Sequence, residues 1–306
     1  MQQLCIDLGG SAAKIGVVQS GAVISSRLLT VDDTFTLTTL EDALDSFIAS
    51  LDTRARFTSV GIAVPGVVNR SRGALLSAHG KYAQIQNVNL TDWAAKRFGV
   101  PAFIENDARA ALLGEIRYGV AMNQHDAVLM VLGTGIGTAA CISDTLLRGA
   151  RDHAGILGGH MTVAVDGPVC PCGNVGCAEA LASTWALRRA WDAQPGEAET
   201  RPEDIERLVS AAQRGNSHAN RVLDGFIAIW GATLVSLCHA YDPSVAIISG
   251  GVMKAKDLLL PRLTQYVREH LWSSSYRPPI LVPDHPQLSV MRGLASLESL
   301  PPKERK

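Results

Sequence analysis

Net charge, long apolar stretches, and cysteine outside one short cluster are all scarce in this 306-residue sequence. The formal net charge is -1, so no broad field draws the chain to nucleic acid or to an acidic membrane surface, and any charged partner is held by a local site. A small ligand suits such a chain better than a polymer. No apolar run approaches the length of a membrane span. The opening Met1-Gln2-Gln3 leads into a strand-like run ending at Asp7, without the basic region and apolar core of a secretion signal. The expected compartment is therefore reducing, by default the cytoplasm, where clustered thiols favour a metal over disulfides. Cys5, Cys141 and Cys238 read as ordinary buried thiols. With 47% apolar and 19% charged residues, the chain can bury a large core, and its length suits two lobes.

The cluster runs from His160 through nine intervening residues to Cys170-Pro171-Cys172-Gly173-Asn174-Val175-Gly176-Cys177-Ala178-Glu179. Three thiols and an imidazole are the donor set of a closed, tetrahedral structural zinc site. Gly173 and Gly176 allow the tight turns between the second and third thiols. A disulfide or plain buried thiols are the competing readings, although Cys170 and Cys172 are too close in sequence to bridge easily.

Along the chain, Leu4 to Leu8 closes on Gly9-Gly10-Ser11, Lys14 to Gln19 resumes a strand, and Ala22 to Leu29 adds a third, which reads as two hairpins. The glycine tip leaves backbone N–H groups open to phosphate oxygens, and Asp7 stands where a hydrated divalent cation can sit; a plain tight hairpin with a solvated Asp is the alternative. Leu40, Leu44, Phe47, Ile48 and Leu51 fall at helical spacing. A buried strand over Val60–Val64 ends at Pro65-Gly66, and no regular structure is evident until a helix begins at Thr91, a connection long enough to be functional or mobile. After a short strand over Val100–Ile104 comes Glu105-Asn106-Asp107. Asp107 falls where a helix N-cap belongs, and a carboxylate there is also well aimed to accept a proton from a hydroxyl. The strand Ala127–Leu132 turns at Gly133-Thr134-Gly135-Ile136-Gly137 into a returning strand, with the third glycine one place early for a dinucleotide fingerprint. The two strand, glycine-turn, strand units form a weak internal repeat, one per lobe, suited to clamping a nucleotide from both sides. Thr184–Ala193, Ile205–Ala212 and Ala219–Ala240 read as helices, Gln194–Arg201 as a polar loop, Val245–Ser249 as a buried strand before Gly250-Gly251, Met291–Ala295 as the opening of a closing helix, and Pro301–Lys306 as a frayed end.

Taken together these motifs resemble the ROK family of sugar kinases and sugar-responsive repressors, in order and over nearly the whole chain. Asp7 to Lys14 matches the family's first phosphate motif, D-x-G-G-[ST]-x-x-K, and Gly133-Thr134-Gly135 lies in its second, L-G-T-G-I-G. Glu105 to Glu115 is similar to E-N-D-A-N-A-A-A-x-G-E, and Gly250-Gly251 to the adenosine-binding turn, with Ser249 replacing a glycine. The resemblance implies an α/β fold of the two-lobed, actin-like ATPase (ribonuclease H-like) type with a structural zinc loop. Its N-terminal lobe would span 1–117, completed by a helix at about 290–300, and its C-terminal lobe 118–289. It further implies transfer of the ATP γ-phosphoryl group to a sugar hydroxyl, usually the 6-hydroxyl of an aldohexose. Asp107 would be the general base, and Asn106, Gly66, His160 and Glu179 would meet the sugar. The loops at Gly9 to Ser11 and Gly133 to Gly135, with Lys14, would hold the phosphates, Mg²⁺ would offset their charge, and zinc on His160, Cys170, Cys172 and Cys177 would be structural. A homodimer is implied as well.

Two departures bear on the substrate. The family's sugar-binding Glu three residues before the His is missing, since Ile156 and Leu157 stand there, and Lys81 falls near the usual Asn of the sugar loop. A substituted or charged sugar becomes the expectation, and glucose the less favoured acceptor. The alternative function is a non-catalytic sugar sensor or scaffold. The family's repressors carry a winged helix-turn-helix ahead of the first phosphate loop, which here begins at Asp7.

Overall fold

The structure, a computed structural model, describes residues 1–9, 12–32, 35–51, 56–77, 82–194 and 200–300. Gly10, Ser11, Lys81, most of the expected polar loop and the tail from Pro301 lie outside them. In chain order come β1 (Gln2–Leu8), β2 (Ala12–Gln19), β3 (Ala22–Thr30), α1 (Leu37–Ala49), β4 (Phe57–Val64), β5 (Val67–Asn69), β6 (Ala74–Ser77), α2 (Leu90–Phe98), β7 (Ala102–Asn106) and α3 (Asp107–Tyr118). There follow β8 (Ala127–Leu132), β9 (Ile136–Ile142), β10 (Thr145–Leu146), α4 (Ala178–Leu181), α5 (Leu187–Asp192), α6 (Ile205–Gln213), α7 (Ser217–Tyr241), β11 (Val245–Ser249), α8 (Lys256–His270), β12 (Ile280–Leu281) and α9 (Pro286–Ser296).

Among the described residues two five-stranded sheets form, in the orders β3-β2-β1-β4-β7 and β10-β9-β8-β11-β12. In each, a first strand pairs antiparallel with its successor and parallel with a later strand, β1 with β2 and β4, β8 with β9 and β11. The repeat read from the two glycine turns is thus a repeat of sheet topology. The central strands β4, β8 and β11 are apolar runs buried on both faces, as strands covered by helices must be.

Two compact units result, one of residues 1–123, 145–154 and 285–306, the other of 124–144 and 155–284. In the first, Leu4, Ile6 and Leu8 of β1 pack with Ile62 and with the α1 stripe Leu40, Leu44 and Phe47. A capping box starts α1, with the Thr36 hydroxyl accepting from Thr39 N at 3.2 Å and Thr39 returning the contact to Thr36 N. The C-terminal helix α9 lies against α3 at backbone contact. A Cβ on Gly293 would stand 1.7 Å from Ala110 O, and one on Gly114 would stand 2.0 Å from Ser289 O. Only a glycine on each helix permits that approach.

In the second unit α7 is the central helix. Asn216 caps it, and the buried Trp230 indole N–H donates to Ala182 O at 2.8 Å. By length and composition alone α7 could cross a membrane, with mean hydropathy 1.5 over its most apolar window. The expectation that no apolar run approaches a span therefore needs correction, and the reason is that 61% of this window is buried inside the protein. Its apolar residues serve a core.

Three other expectations change. The connection after Gly66 contains the β5–β6 hairpin, because Val67, Val68, Ala74 and Leu75 are buried and Gly73 takes φ 60 at the end of the intervening turn. The helical stretch expected from Thr184 is only α5 from Leu187, with the short α4 before it. The third concerns Asp107, the first residue of α3, which is capped by Asn106.

Candidate active site

The first unit brings Asp7, Gly9, Gly66, Asn106 and Asp107 to the ends of neighbouring strands. Asp7 lies one residue before the end of β1, opposite Lys14 on β2 and Ala63 on β4, while Asn106 ends β7 opposite Val64. Asn106 is the N-cap, its Oδ1 accepting from Arg109 N at 3.1 Å. Its amide donates to Gly66 O and to Asp107 Oδ1, each at 3.0 Å. Both amide hydrogens are therefore committed, and Oδ1 keeps one lone pair for a ligand donor. Asp107 Oδ1 also accepts from Ala108 N at 2.8 Å. Burial outweighs these bonds and raises the Asp107 carboxyl to about 6. Asp7 is raised further, to about 7, first by burial and then by the charge of Asp107, with Lys14 acting in the opposite direction.

Tyr82, not singled out in the sequence, completes this group. Its hydroxyl donates to Gly9 O at 2.7 Å, and burial followed by the charges of Asp7 and Asp107 raises its pKa. Lys14 donates through Nζ to Gln287 O at 2.7 Å, tying β2 to α9.

The second unit carries the other glycine turn and the thiol cluster, and one carboxylate joins them. Glu179 Oε2 accepts from Ile136 N at 2.7 Å, and a Cβ on Gly135 would lie 2.3 Å from that oxygen. Gly133 O accepts from the Thr184 hydroxyl at 3.2 Å, and Thr134 is exposed at the tip. Glu179 follows Cys177 by two residues, so the thiol loop places the group that shapes the glycine turn. Gly250 takes φ 104 after β11, and Gly251 packs against Glu206.

The donor atoms of His160, Cys170, Cys172 and Cys177 all lie within 4.8 Å of one another. Cys172 and Cys177 Sγ are 3.7 Å apart, and His160 Nδ1 is 3.6 Å from Cys170 Sγ. A tetrahedral ion with Zn–S of about 2.3 Å has edges of roughly 3.8 Å, so these residues fit zinc. Asn174 Nδ2 donates to Cys177 Sγ at 3.4 Å, the kind of outer contact that orients a ligand. With Nδ1 turned to the thiols, His160 keeps Nε2 for another partner. Cys5, Cys141 and Cys238 are buried and unbridged.

Residues 3–299 match the model of the ROK family. The chain belongs to the ROK family. It is 31% identical over 282 residues to a glucokinase of Thermotoga maritima, covering 88% of each chain. It is 29% identical over 213 residues to a xylose repressor of Bacillus spizizenii, covering 70% of this chain and 53% of the repressor. Among solved structures, a ROK family glucokinase from Streptomyces griseus in complex with glucose and AMPPNP superposes with TM-score 0.82 at 29% identity, covering 97% of this chain and 99% of that one. The fold is accordingly the mixed α/β, actin-like ATPase class of ROK kinases.

One group escaped the sequence reading altogether. Glu105 is fully buried beside Asn106 and collects Arg70, Arg109 and Arg148. The available signal was Arg109, a charge inside the apolar run Ala108 to Leu113 where the family pattern has Asn.

Proposed function

We propose that this ROK-family chain is an ATP-dependent sugar kinase that phosphorylates a hexose or N-acetylhexosamine at its 6-hydroxyl, with Asp107 as general base. The observation that carries the reading is the state of Asp107, whose Oδ1 is pinned by Ala108 N and Asn106 Nδ2 and whose pKa stands at about 6. Such a carboxylate is ionised at neutral pH and still basic enough to take a hydroxyl proton. Oδ2 is left to receive it. Asn106 holds the base in place and offers its spare Oδ1 lone pair to a sugar hydroxyl. The Gly9 and Gly133–Gly135 turns would offer backbone N–H groups to phosphate oxygens, although Gly133 N itself is held by Gly135 O at 3.1 Å.

Asp7 would hold a hydrated Mg²⁺, which supplies positive charge against the phosphates. Its raised pKa suits that role, since a carboxylate crowded by burial and by Asp107 gains from a cation. Zinc on His160, Cys170, Cys172 and Cys177 would be structural, leaving His160 Nε2 to donate to a sugar hydroxyl. A reducing, cytoplasmic setting and a homodimer belong to the same reading.

For the acceptor, Leu157 is the informative residue. It stands three positions before His160 and is 40% exposed, whereas Ile156 is 8% exposed and packed away. An apolar side chain at that position cannot accept from a hydroxyl but can cover a methyl group. Losing one charged acceptor weakens binding of an unsubstituted hexose by about 1.5–3 kcal/mol, roughly ten- to a hundredfold. Competition kinetics with ATP-Mg²⁺ and a panel of hexoses and N-acetylhexosamines test this: a substituted or epimeric sugar is expected to exceed glucose in kcat/KM. Glucose leading the whole panel would overturn the substrate assignment. The similarity to a xylose repressor supports a second reading, a sugar-binding protein without turnover, which absence of phosphoryl transfer to every sugar tested would favour.

A further inference from the structure

Glu206, in the first turn of α6, ends beside the glycine turn that follows β11. Ile205, Leu208 and Val209 bury one side of α6, and Asp204 caps it by accepting from Arg207 N at 2.7 Å, so the helix is fixed against the core. Glu206 Oε2 accepts from Lys254 Nζ at 3.0 Å, and Lys254 belongs to the short helical turn Gly251–Ala255 that continues from Gly250. The other oxygen, Oε1, takes no hydrogen bond from any described residue. It lies against Gly251, where a Cβ would stand 2.1 Å from it. A half-exposed carboxylate is thus anchored through one oxygen and open at the other. The two glycine turns of this unit are neighbours. β8 and β11 pair in parallel with Val131 opposite Ser249, and a Cβ on Gly250 would lie 2.0 Å from Leu132 O. Gly251 and Glu206 therefore stand to the side of the turn at Gly133 by about one strand spacing, roughly 5 Å.

We propose that Glu206 is a specificity-determining residue for the nucleotide, its Oε1 accepting from the ribose 2′- and 3′-hydroxyls. The inference rests on the ATP reading given above. A carboxylate repels phosphate oxygens and needs a donor, and the donors of ATP away from its phosphates are the ribose hydroxyls and the exocyclic amino group of adenine. Ribose is joined to the α-phosphate through a single methylene, so phosphates on the Gly133–Gly135 turn leave the sugar about one strand spacing away. The amino group lies beyond it, at the far edge of the base. Carboxylates accept from ribose hydroxyls in the same manner in dinucleotide-binding folds. With no side chain on Gly251 and Lys254 holding Oε2, Oε1 is kept at the turn rather than swinging into solvent.

Calorimetric titration of the full chain with the Mg²⁺ complexes of ADP, 2′,3′-dideoxyADP and IDP tests this without turnover. Wild type is expected to bind ADP about tenfold more tightly than the dideoxy analogue, which lacks the donors for a charged acceptor. Glu206→Ala should reduce that preference to within about twofold. Both ligands carry the same phosphates, so their ratio is free of the general gain in anion affinity that follows removal of a negative charge. Glu206→Gln keeps an uncharged acceptor and should retain a preference of about threefold; it carries the test should the Ala variant fail to fold. The ratio of ADP to IDP affinity should be the same in all three proteins, because hypoxanthine differs from adenine where the amino group stands. A preference for ADP over the dideoxy analogue that persists in Glu206→Ala, or that is missing from wild type, would overturn the assignment. So would an ADP over IDP preference lost in Glu206→Ala, which would give the carboxylate to the base. The expected ADP preferences in a protein that phosphorylates no sugar would reject the kinase reading and leave Glu206 in its role, whereas failure to bind any nucleotide would reject both.

Discussion

The two sheets share a strand order but stabilise the turn after their first strand by different means. In the first unit the strand brings its own carboxylate, Asp7, raised to about 7, and the neutral Tyr82 hydroxyl pins the turn at Gly9. In the second, β8 is apolar to its end at Leu132, and the carboxylate arrives from Glu179, far along the chain and two residues past Cys177 of the thiol cluster. One backbone device thus stands beside a carboxylate of raised pKa in one unit and beside the thiol cluster, where zinc is proposed, in the other. The first unit should answer to pH and the second to metal.

The largest expected effect breaks the first unit's chemistry alone. Asp107→Asn should lower turnover by about a hundred- to ten-thousandfold while the protein stays folded and keeps sugar affinity. Its stability should carry the opposite sign. The native Asp107 pKa of about 6 is raised above the unfolded value, so this group favours folding at low pH and that contribution is lost as pH rises through about 6. The Asn variant should therefore melt higher than wild type at pH 8, with the gap closing towards pH 4. Turnover within a few-fold of wild type would remove Asp107 from the reaction.

Next in size is the metal side. Cys172→Ser, or a strong chelator on the wild type, should lower Tm by roughly 3–4 °C, the counterpart of about 2 kcal/mol in a protein of this size. Sugar affinity should fall with it. Metal analysis of reduced, freshly purified protein should find one zinc per chain, and finding none would end the zinc reading.

Glu179→Gln sharpens the comparison with the smallest effect. The amide oxygen can still accept from Ile136 N but without charge, a loss of about 1 kcal/mol, so the ATP Kd should rise about fivefold. Combined with Cys172→Ser the two losses should be less than additive, since both act on the turn at Gly135. Strict additivity, measured by ATP titration of the four proteins, would disconnect the metal loop from the glycine turn.

The residues themselves determined the local elements and the donor sets. The apolar runs of β4, β8 and β11, the α1 stripe of Leu40, Leu44 and Phe47, the glycine turns and the spacing from His160 to Cys177 are signals carried by near neighbours. Hydrophobic period and donor spacing survive any tertiary arrangement. The β5–β6 hairpin was hidden because its strands offer only two and three apolar residues, too short to show a period. Asn106 and Asp107 are both good caps, and the chain alone could not rank them. Tertiary structure decided that ranking, the docking of Lys14 on Gln287, the reach of Glu179 to Ile136 and the gathering of three arginines about Glu105. Each joins residues far apart in sequence or alike in local propensity, and what selects the partner is burial, where an unmet donor or charge is costly enough to dictate which groups meet.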